Sequence, residues 1–239
     1  MALKNEFEIT GNWLFKYRSF LPLIIIPLLF YCIVTPLEIY SQKILLYTGI
    51  TISYMGECIR IFTIGYVPAR TSGRNTKQQL ASSLNKYGIY SIVRHPLYLG
   101  NFFIYLGPFI FTGNIFGIII FILTFWVYYE RIMFAEEAFL IDKFDDEYKE
   151  WSLKTPAFIP NPILYSHIKA KFILNKVLER EYSGICGVIV IFSILLAYRN
   201  YYFNVIPILP DIWKVLFIVN AILYISLRSY KKIRRMQNK

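Results

Sequence analysis

The stretch YGIYSIVRHPLYLG, residues 87–100, leads from a polar part of the chain into an apolar one. At its centre an arginine, a histidine and a proline follow one another at residues 94–96. Proline suits the first turn of a helix, because the backbone N–H that it lacks would have no partner in that turn. The stretch therefore predicts that an apolar helix begins at Pro96, with the charged Arg94 just before it.

The composition places such a helix in a membrane. Of the 239 residues, 56% are apolar and 17% are charged, and the mean hydropathy is +0.45. Soluble domains are about 45–50% apolar and about 25% charged. These values predict an integral membrane protein. The net charge of +11 comes from basic residues that flank apolar runs, which favours lipid headgroups over nucleic acid as partners.

Apolar runs recur along the chain and predict an all-α, polytopic membrane protein with about six transmembrane helices. Such a helix needs about 17–25 mainly apolar residues. Between the third and fourth runs, Thr112 to Asn114 predict a tight turn and therefore a helical hairpin. The runs are about residues 20–34, 44–67, 97–111, 115–129, 183–198 and 212–227.

The basic residues predict the orientation of these spans. Most of the 26 Lys and Arg residues fall on one side of the six-span arrangement. Because loops rich in Lys and Arg stay in the cytoplasm, we predict that both termini and both long loops are cytoplasmic. The first run lacks a small-residue cleavage site, so we expect it to remain as an anchor.

The three cysteines, Cys32, Cys58 and Cys186, lie far apart in apolar segments. We expect them to be buried side chains of the core. No CxxC motif or Cys/His cluster predicts a metal site. There is also no GxGxxG motif or Walker loop, so a Rossmann cofactor domain is not indicated.

The Arg94-His95-Pro96 turn is the first candidate site. Free backbone N–H groups at a helix start bind carboxylates or phosphates, and Arg94 would add bidentate donors. Gly100, one turn later, would let a ligand or a neighbouring helix come close. The alternative is an arginine that only sets the topology of an ordinary span.

The second candidate cluster begins where the fourth run ends, at Glu130 and Arg131, and continues to Glu136 and Glu137. A hairpin returns this cluster to the face that carries Arg94, so all of them could line one pocket. Adjacent carboxylates on a helix point about 100° apart, so we expect one of the pair to face inward. The alternative is a solvated acidic patch.

Glu57 and Arg60, three residues apart in the second run, could pair on one helix face. Ionisable residues within a span are functional candidates, here for a transporter or channel subunit. The alternative is an interfacial pair near the helix end.

The spacing Gly88-x-Tyr90-x-x-x-Arg94-His95-Pro96-x-Tyr98-x-Gly100 resembles the isoprenylcysteine carboxyl methyltransferase family, which is related to the phospholipid N-methyltransferases. Glu136-Glu137, Phe144, Glu147-Tyr148, Thr155-Pro156 and Ile159-Pro160 match its second half. The resemblance covers about residues 44–162. It divides the chain into a segment with the first span, a methyltransferase core, and a linker with two further spans and a basic tail, residues 1–43, 44–162 and 163–239.

This resemblance implies the donor S-adenosylmethionine, held without a Rossmann fold in a cytosol-facing pocket, and a tunnel that admits the acceptor from the bilayer. It implies catalytic roles for Arg94 and Glu137, with Arg94 holding the acceptor. Arg70 and Arg74 would suit an anionic headgroup. The implied cofactor-binding residues are Tyr90, His95, Tyr98, Leu99, Gly100, Asn101, Glu136 and Glu137.

An anionic acceptor needs an arginine to aim it and no general base, whereas an amine must first lose a proton. We therefore expect O-methylation of a lipid phosphate, such as a lipid A phosphate, or of a carboxylate. The polar stretch TSGRNTKQQ, residues 71–79, resembles bacterial homologues, which indicates the bacterial inner membrane. Alternatives are N-methylation of a phospholipid amine, a membrane transporter, and an inactive relative that binds lipid. Asp145 stands where members of the family often have glycine, which affects the shape of the C-terminal lid.

Overall fold

The computed structural model describes residues 2–18, 20–37, 41–68, 81–168 and 170–237. Within these ranges the chain is all-α and contains no β-strand, as predicted. A short 3₁₀ turn, Pro162–Leu164, follows the sixth helix. The helices are α1 Leu3–Tyr17, α2 Leu21–Val34, α3 Gln42–Tyr66, α4 Ile89–Ile92, α5 Pro96–Thr112, α6 Ile115–Lys154, α7 Leu174–Tyr202 and α8 Asp211–Gln237.

Each predicted apolar run coincides with a helix, in order α2, α3, α5, α6, α7 and α8. Among the described residues, α6, α7 and α8 are long and apolar enough to cross a membrane, and α2 and α5 contain shorter apolar stretches. The protein is therefore an all-α integral membrane protein, as its composition predicted. The number of six spans stays a prediction, because α3 does not reach the same standard of length and hydropathy.

The predicted hairpin of α5 and α6 is confirmed. Gly113 ends α5 with a positive φ of 68°, which glycine adopts without a Cβ clash. Asn114 caps α6, because its side-chain oxygen accepts a hydrogen bond from the Gly117 N–H at 2.9 Å. Its Nδ2 donates to the Thr35 carbonyl at 2.7 Å, which joins this turn to the end of α2.

Glycines allow α3 and α5 to pack backbone against backbone. A Cβ at Gly49 would lie 2.5 Å from the Gly107 carbonyl oxygen, and a Cβ at Gly56 would lie 2.5 Å from that of Gly100. Between them, Ser53 donates a hydrogen bond to the Ile104 carbonyl at 3.0 Å. Small residues are the usual means of bringing membrane helices this close. Gly100 therefore serves the approach of a neighbouring helix.

No helix was predicted before residue 20, and the structure has α1 there. This helix packs along α6: Gly11 lies against the Arg131 backbone, and the Phe7 ring meets the Phe134 ring edge-on at 5.8 Å. Its apolar residues are interspersed with charged ones, so it forms no apolar run. Contact with α6 supplies the stabilisation that the local sequence lacks.

One cysteine on α3 differs from expectation. Cys32 and Cys186 are buried as predicted, but Cys58 is exposed on α3, so that prediction was wrong for this residue. Helix α6 is 40 residues long in total and extends beyond its apolar part. It is kinked at Asp145, which has φ 40° and ψ −115°. Non-glycine residues rarely adopt this conformation, whereas glycine adopts it without a steric clash.

Candidate functional site

The Arg94-His95-Pro96 turn is held in place by the segment that follows α6. The Arg94 N–H donates to the Pro156 carbonyl at 2.9 Å, and the His95 N–H donates to the Ala157 carbonyl at 3.1 Å. Pro96 begins α5, as predicted. The two halves of the motif are therefore joined by backbone hydrogen bonds, although about 60 residues separate them in sequence.

The start of α5 offers fewer free donors than the sequence indicated. The N–H groups of Tyr98 and Leu99 both donate to the His95 carbonyl, each at 3.1 Å. Pro96 has no N–H. Leu97 is then the residue of this turn whose N–H has no backbone acceptor recorded among the described residues. The prediction of an anion site made of several free N–H groups was wrong, because the turn satisfies its own donors.

His95 is buried between two carboxylates. Its Nε2 lies 2.9 Å from Oε1 of Glu137, and its Nδ1 lies 3.6 Å from Oε2 of Glu136. The Tyr98 hydroxyl donates to Oε1 of Glu136 at 2.6 Å. Both side chains reach the imidazole, but only Glu136 lines the cavity described below, as expected for one of two adjacent carboxylates on a helix.

The surroundings of His95 favour its charged form. Burial by itself disfavours the imidazolium, but the hydrogen bonds and the charges of Glu136 and Glu137 outweigh burial and raise the pKa of His95 above its ordinary value. An imidazolium donates from both ring nitrogens, which matches the carboxylate on each side. Charge attraction therefore holds His95, Glu136 and Glu137 together as one cluster.

Arg94 belongs to the same unit. Its Nε lies 3.1 Å from Oε1 of Glu137, and its Nη1 donates to the Ser152 carbonyl at 3.0 Å. Glu137 therefore contacts both cations of the motif. Arg94 is oriented by these partners within the protein, and it lines a cavity.

This cavity has a volume of about 740 Å³ and is bordered by α1, α2, α3, α5, α6 and α7. One end contains the His95 cluster, and the wall continues along α5 to apolar side chains such as Ile104 and Phe109. Leu99, Gly100 and Glu137 are not among the lining residues. Arg70 and Arg74 lie outside the described residues. The predicted site residues that line the cavity are Tyr90, Arg94, His95, Tyr98, Asn101 and Glu136.

A second polar cluster lines the cavity further along α5. Arg60 donates from Nε and Nη2 to the Glu181 carboxylate, at 2.7 and 3.0 Å, and from Nη1 to Oδ1 of Asn101 at 2.7 Å. Asn101 in turn donates from Nδ2 to the Tyr129 hydroxyl at 3.1 Å. This ion pair links α3 to α7.

Sequence reasoning singled out Arg60 but not Glu181 or Tyr129. Glu181 stands just before the fifth apolar run, where a carboxylate is expected to be exposed to solvent. Its side chain is nevertheless only 1% exposed. Tyr129 ends the fourth run among other aromatic residues and carries no motif of its own. Only the packing of α3, α5, α6 and α7 brings these residues together.

Charges of both signs line the cavity, and the described lining residues include four arginines and three glutamates. Glu57 lies among the lining residues, with its carboxylate packed over the backbone of Gly184. No group of three or more His, Cys, Asp or Glu side chains in the described ranges could hold a metal ion. The charged lining residues are Arg18, Arg60, Arg94, Arg180, Glu57, Glu136 and Glu181.

The centre of the chain is similar to known proteins. Residues 46–147, which include the His95 cluster and the α5–α6 hairpin, match the family described as phospholipid methyltransferase. Residues 46–147 are called the phospholipid methyltransferase segment below. The predicted resemblance is thereby confirmed. Of the site residues, Arg60, Arg94, His95, Asn101 and Glu136 lie within the phospholipid methyltransferase segment, and Glu181 lies outside it.

Several of the curated relatives carry methyltransferase names, and one carries the name of a metal-resistance protein. The chain is 35% identical over 95 residues to the protein-S-isoprenylcysteine O-methyltransferase of Schizosaccharomyces pombe, covering 37% of this chain and 40% of that protein. It is 29% identical over 118 residues to the human protein of that name, covering 47% and 40%. The cobalt-zinc-cadmium resistance protein CzcN of Cupriavidus metallidurans is 34% identical over 94 residues, covering 39% and 41%.

The chain thus spans well under two thirds of the length of these relatives. No solved structure matches the chain significantly.

Proposed function

We propose that this protein is a membrane methyltransferase that transfers a methyl group from S-adenosylmethionine to an anionic group of a membrane-embedded acceptor. One observation carries the proposal. A single cavity joins the His95 cluster, within the phospholipid methyltransferase segment, to an apolar wall formed by α2, α5 and α7. A donor and the head of a lipid acceptor can meet in such a space.

The residues at the polar end fit S-adenosylmethionine. Cofactor pockets commonly measure about 300–1,000 Å³, a range that includes this cavity. A carboxylate such as Glu136 accepts hydrogen bonds from ribose hydroxyls or an amino group, and Tyr90, Tyr98 and Asn101 border the same space. When bound, the donor supplies a methyl group already activated by its sulfonium. Leu99, Gly100 and Glu137 would then support the site from behind its wall.

The protein's own contribution is positioning and electrostatics. Glu137 holds His95 and Arg94, so that Glu136 and the guanidinium are fixed before any ligand arrives. Correct placement of two reactants can supply about 7–11 kcal/mol of the barrier in favourable cases. Arg94 would orient the acceptor with the part of its guanidinium that faces the cavity.

The acceptor we favour is an oxyanion. Four arginines against three glutamates give the described wall a positive balance, and the surroundings of His95 favour its charged form. A carboxylate or phosphate attacks without a general base. The names of the relatives point to O-methylation of a lipidated protein, and a lipid phosphate such as that of lipid A has the same chemistry. The three carboxylates of the wall favour, as a second candidate, N-methylation of an amine headgroup.

Transfer of labelled methyl from S-adenosylmethionine to the total lipid extract of the host tests the function. We expect a labelled lipid, identified by mass spectrometry, with purified protein. Glu136→Gln should lower transfer at least about tenfold, since a hydrogen bond to a charged group is lost. Glu147→Gln, at an exposed ion pair with Lys86, is the matched control and should keep full activity.

Three results would contradict these assignments. Absence of both donor binding and transfer would reject the methyltransferase. Full turnover in Arg94→Ala, combined with loss of turnover in Glu137→Gln, would reject Arg94 as the residue that holds the acceptor. A labelled amine would establish N-methylation instead of O-methylation.

A further inference from the structure

In the second polar cluster, Glu181, Arg60, Asn101 and Tyr129 form a chain of hydrogen bonds. The chemistry of its first members determines which group donates at each step. The Glu181 carboxylate is an acceptor, and the Arg60 guanidinium is a donor without any acceptor atom. Arg60 therefore turns the oxygen of the Asn101 amide towards itself, over 2.7 Å. The amide nitrogen must then face Tyr129, over 3.1 Å.

Tyr129 consequently accepts through its oxygen and keeps its own hydrogen. Among the described residues the structure records no acceptor for that hydrogen, and the side chain is 3% exposed and lines the cavity. A buried hydroxyl normally finds a partner, because leaving it unpaired costs free energy. The cavity is the space from which that partner would come.

We propose that the Tyr129 hydroxyl is a ligand-binding donor for an anionic oxygen, a carboxylate or a phosphate, of the molecule in the cavity. This rests on the proposed function and adds a specificity-determining residue to it. Tyr129 lies at the end of the apolar part of α6, beside Asn101 and next to the Tyr98 ring, whose centroid is 4.8 Å away. Tyr98 donates to Glu136 and Tyr129 to the ligand, so the two neighbouring phenols serve different partners.

Glu181 and Arg60 are positioning residues in this arrangement. They act on Tyr129 through Asn101, because they determine which end of the Asn101 amide faces Tyr129. Helix α7, outside the phospholipid methyltransferase segment, thereby determines a binding property of the matched core. An acceptor lacking a suitable oxygen would leave the Tyr129 hydroxyl unsatisfied, which selects against it.

Binding measurements on the full-length protein in detergent test this without relying on turnover. The probes are S-adenosylhomocysteine, which carries a carboxylate, and dodecyl phosphate, each titrated by calorimetry. Tyr129→Phe should weaken binding of one probe at least about tenfold, as expected for loss of a hydrogen bond to a charged group. A loss confined to S-adenosylhomocysteine assigns the oxygen to the donor, and one confined to dodecyl phosphate assigns it to the acceptor.

The neighbouring Tyr128→Phe is the matched control. Tyr128 is 8% exposed, donates to the Leu14 carbonyl at 3.3 Å and does not line the cavity. This variant should leave both affinities within about twofold of the wild type, as do most substitutions away from a site. Equal affinities in Tyr129→Phe and Tyr128→Phe, or a wild type that binds neither probe, would overturn the proposal.

Asn101→Asp tests whether the direction of the Asn101 amide leaves the Tyr129 hydrogen available to a ligand. An aspartate accepts from Arg60 and, lacking N–H groups, also accepts from Tyr129, so the Tyr129 hydrogen is drawn away from the cavity. In this background Tyr129→Phe should have no further effect on binding of the affected probe, a non-additivity typical of residues in one network. A full additional loss would overturn the assignment. Probe binding without methyl transfer would reject the proposed function and leave Tyr129 as a ligand donor.

Discussion

At the scale of single residues, the site depends on groups whose charge is set by their neighbours. His95 is the clearest case, because Glu136 and Glu137 flank it and Arg94 and Tyr98 contact the same two carboxylates. The imidazole links Glu136, which lines the cavity, to Glu137 and through it to Arg94. A neutral imidazole could donate a hydrogen bond to only one of the two carboxylates.

His95 makes stability depend on pH. Because its pKa is raised in the folded protein above the ordinary value of 6.5, its contribution is fully present below that value and is lost as the pH rises through the folded pKa. Between these two pKa values the free energy of unfolding should fall by up to about 1.4 kcal/mol per pH unit. Thermal unfolding in detergent at stepped pH measures this. In His95→Gln that alkaline decline should disappear, and an unchanged profile would contradict the assignment.

Asp145 is the residue whose backbone is most clearly unfavourable. Its φ of 40° costs a non-glycine residue about 1–3 kcal/mol, whereas its side chain has only an exposed ion pair with Lys149. Asp145→Gly should therefore raise the free energy of unfolding by up to about 1 kcal/mol. Asp146→Gly, in the regular helix next to it, should lower it by about 1 kcal/mol. Chemical denaturation of both variants measures the difference, and a decrease in both would show that Asp145 is not strained.

At the scale of helices, the contact between α3 and α5 places Arg60 beside Asn101. It depends on glycines at both ends of the contact, since a Cβ at Gly49 or Gly56 would meet the backbone of α5. Helix α7 then closes the cavity from the other side and contributes Glu181. Helix α8 packs on α7, and none of its described residues lines the cavity, whereas α7 contributes several lining residues.

Alanine at two glycines should have opposite effects on stability. Gly56→Ala forces α3 away from α5 and should lower the free energy of unfolding by about 1–3 kcal/mol, the usual cost of overpacking. Gly187→Ala has open space, with nothing within 4 Å of its Cβ, and should raise stability by up to about 1 kcal/mol, because alanine favours helix. Melting temperatures in detergent test the pair. Equal melting temperatures would mean that the close approach of α3 and α5 is dispensable.

At the scale of the whole molecule, the polar ends of the helices meet on one side. The turn before α5 is bonded to the segment after α6, and Lys176 at the start of α7 donates to the Val67 carbonyl at the end of α3. The apolar turns meet on the other side, where Asn114 contacts Thr35. Because loops rich in Lys and Arg stay in the cytoplasm, we predict that the polar side is the cytoplasmic one.

Single cysteines on either side of α8 test that topology. After replacement of Cys32, Cys58 and Cys186, Val205→Cys should react with an impermeant maleimide in intact spheroplasts. Met236→Cys should react only after the membrane is opened, because α8, at about 1.5 Å per residue, is long enough to separate the two positions. Labelling of both cysteines from outside would mean that α8 does not cross the membrane.

Several properties followed from the sequence by itself, because they depend on local composition and spacing. Long apolar runs determine helices in a membrane whatever their neighbours are, and Pro96, Gly113 and Asn114 mark helix ends through their own backbone preferences. The pairing of the Arg94-His95-Pro96 turn with two glutamates one hairpin away was equally readable, since a hairpin returns to its starting face.

Only the tertiary structure decided how these groups pair. Whether both glutamates reach His95, whether Gly100 faces a ligand or a helix, and which partner Arg60 takes all depend on how α3, α5, α6 and α7 are rotated against one another. Glu181 is 121 residues from Arg60, and no local pattern records that contact. The direction of the Asn101 amide, and with it the free hydrogen of Tyr129, exists only once these helices have packed.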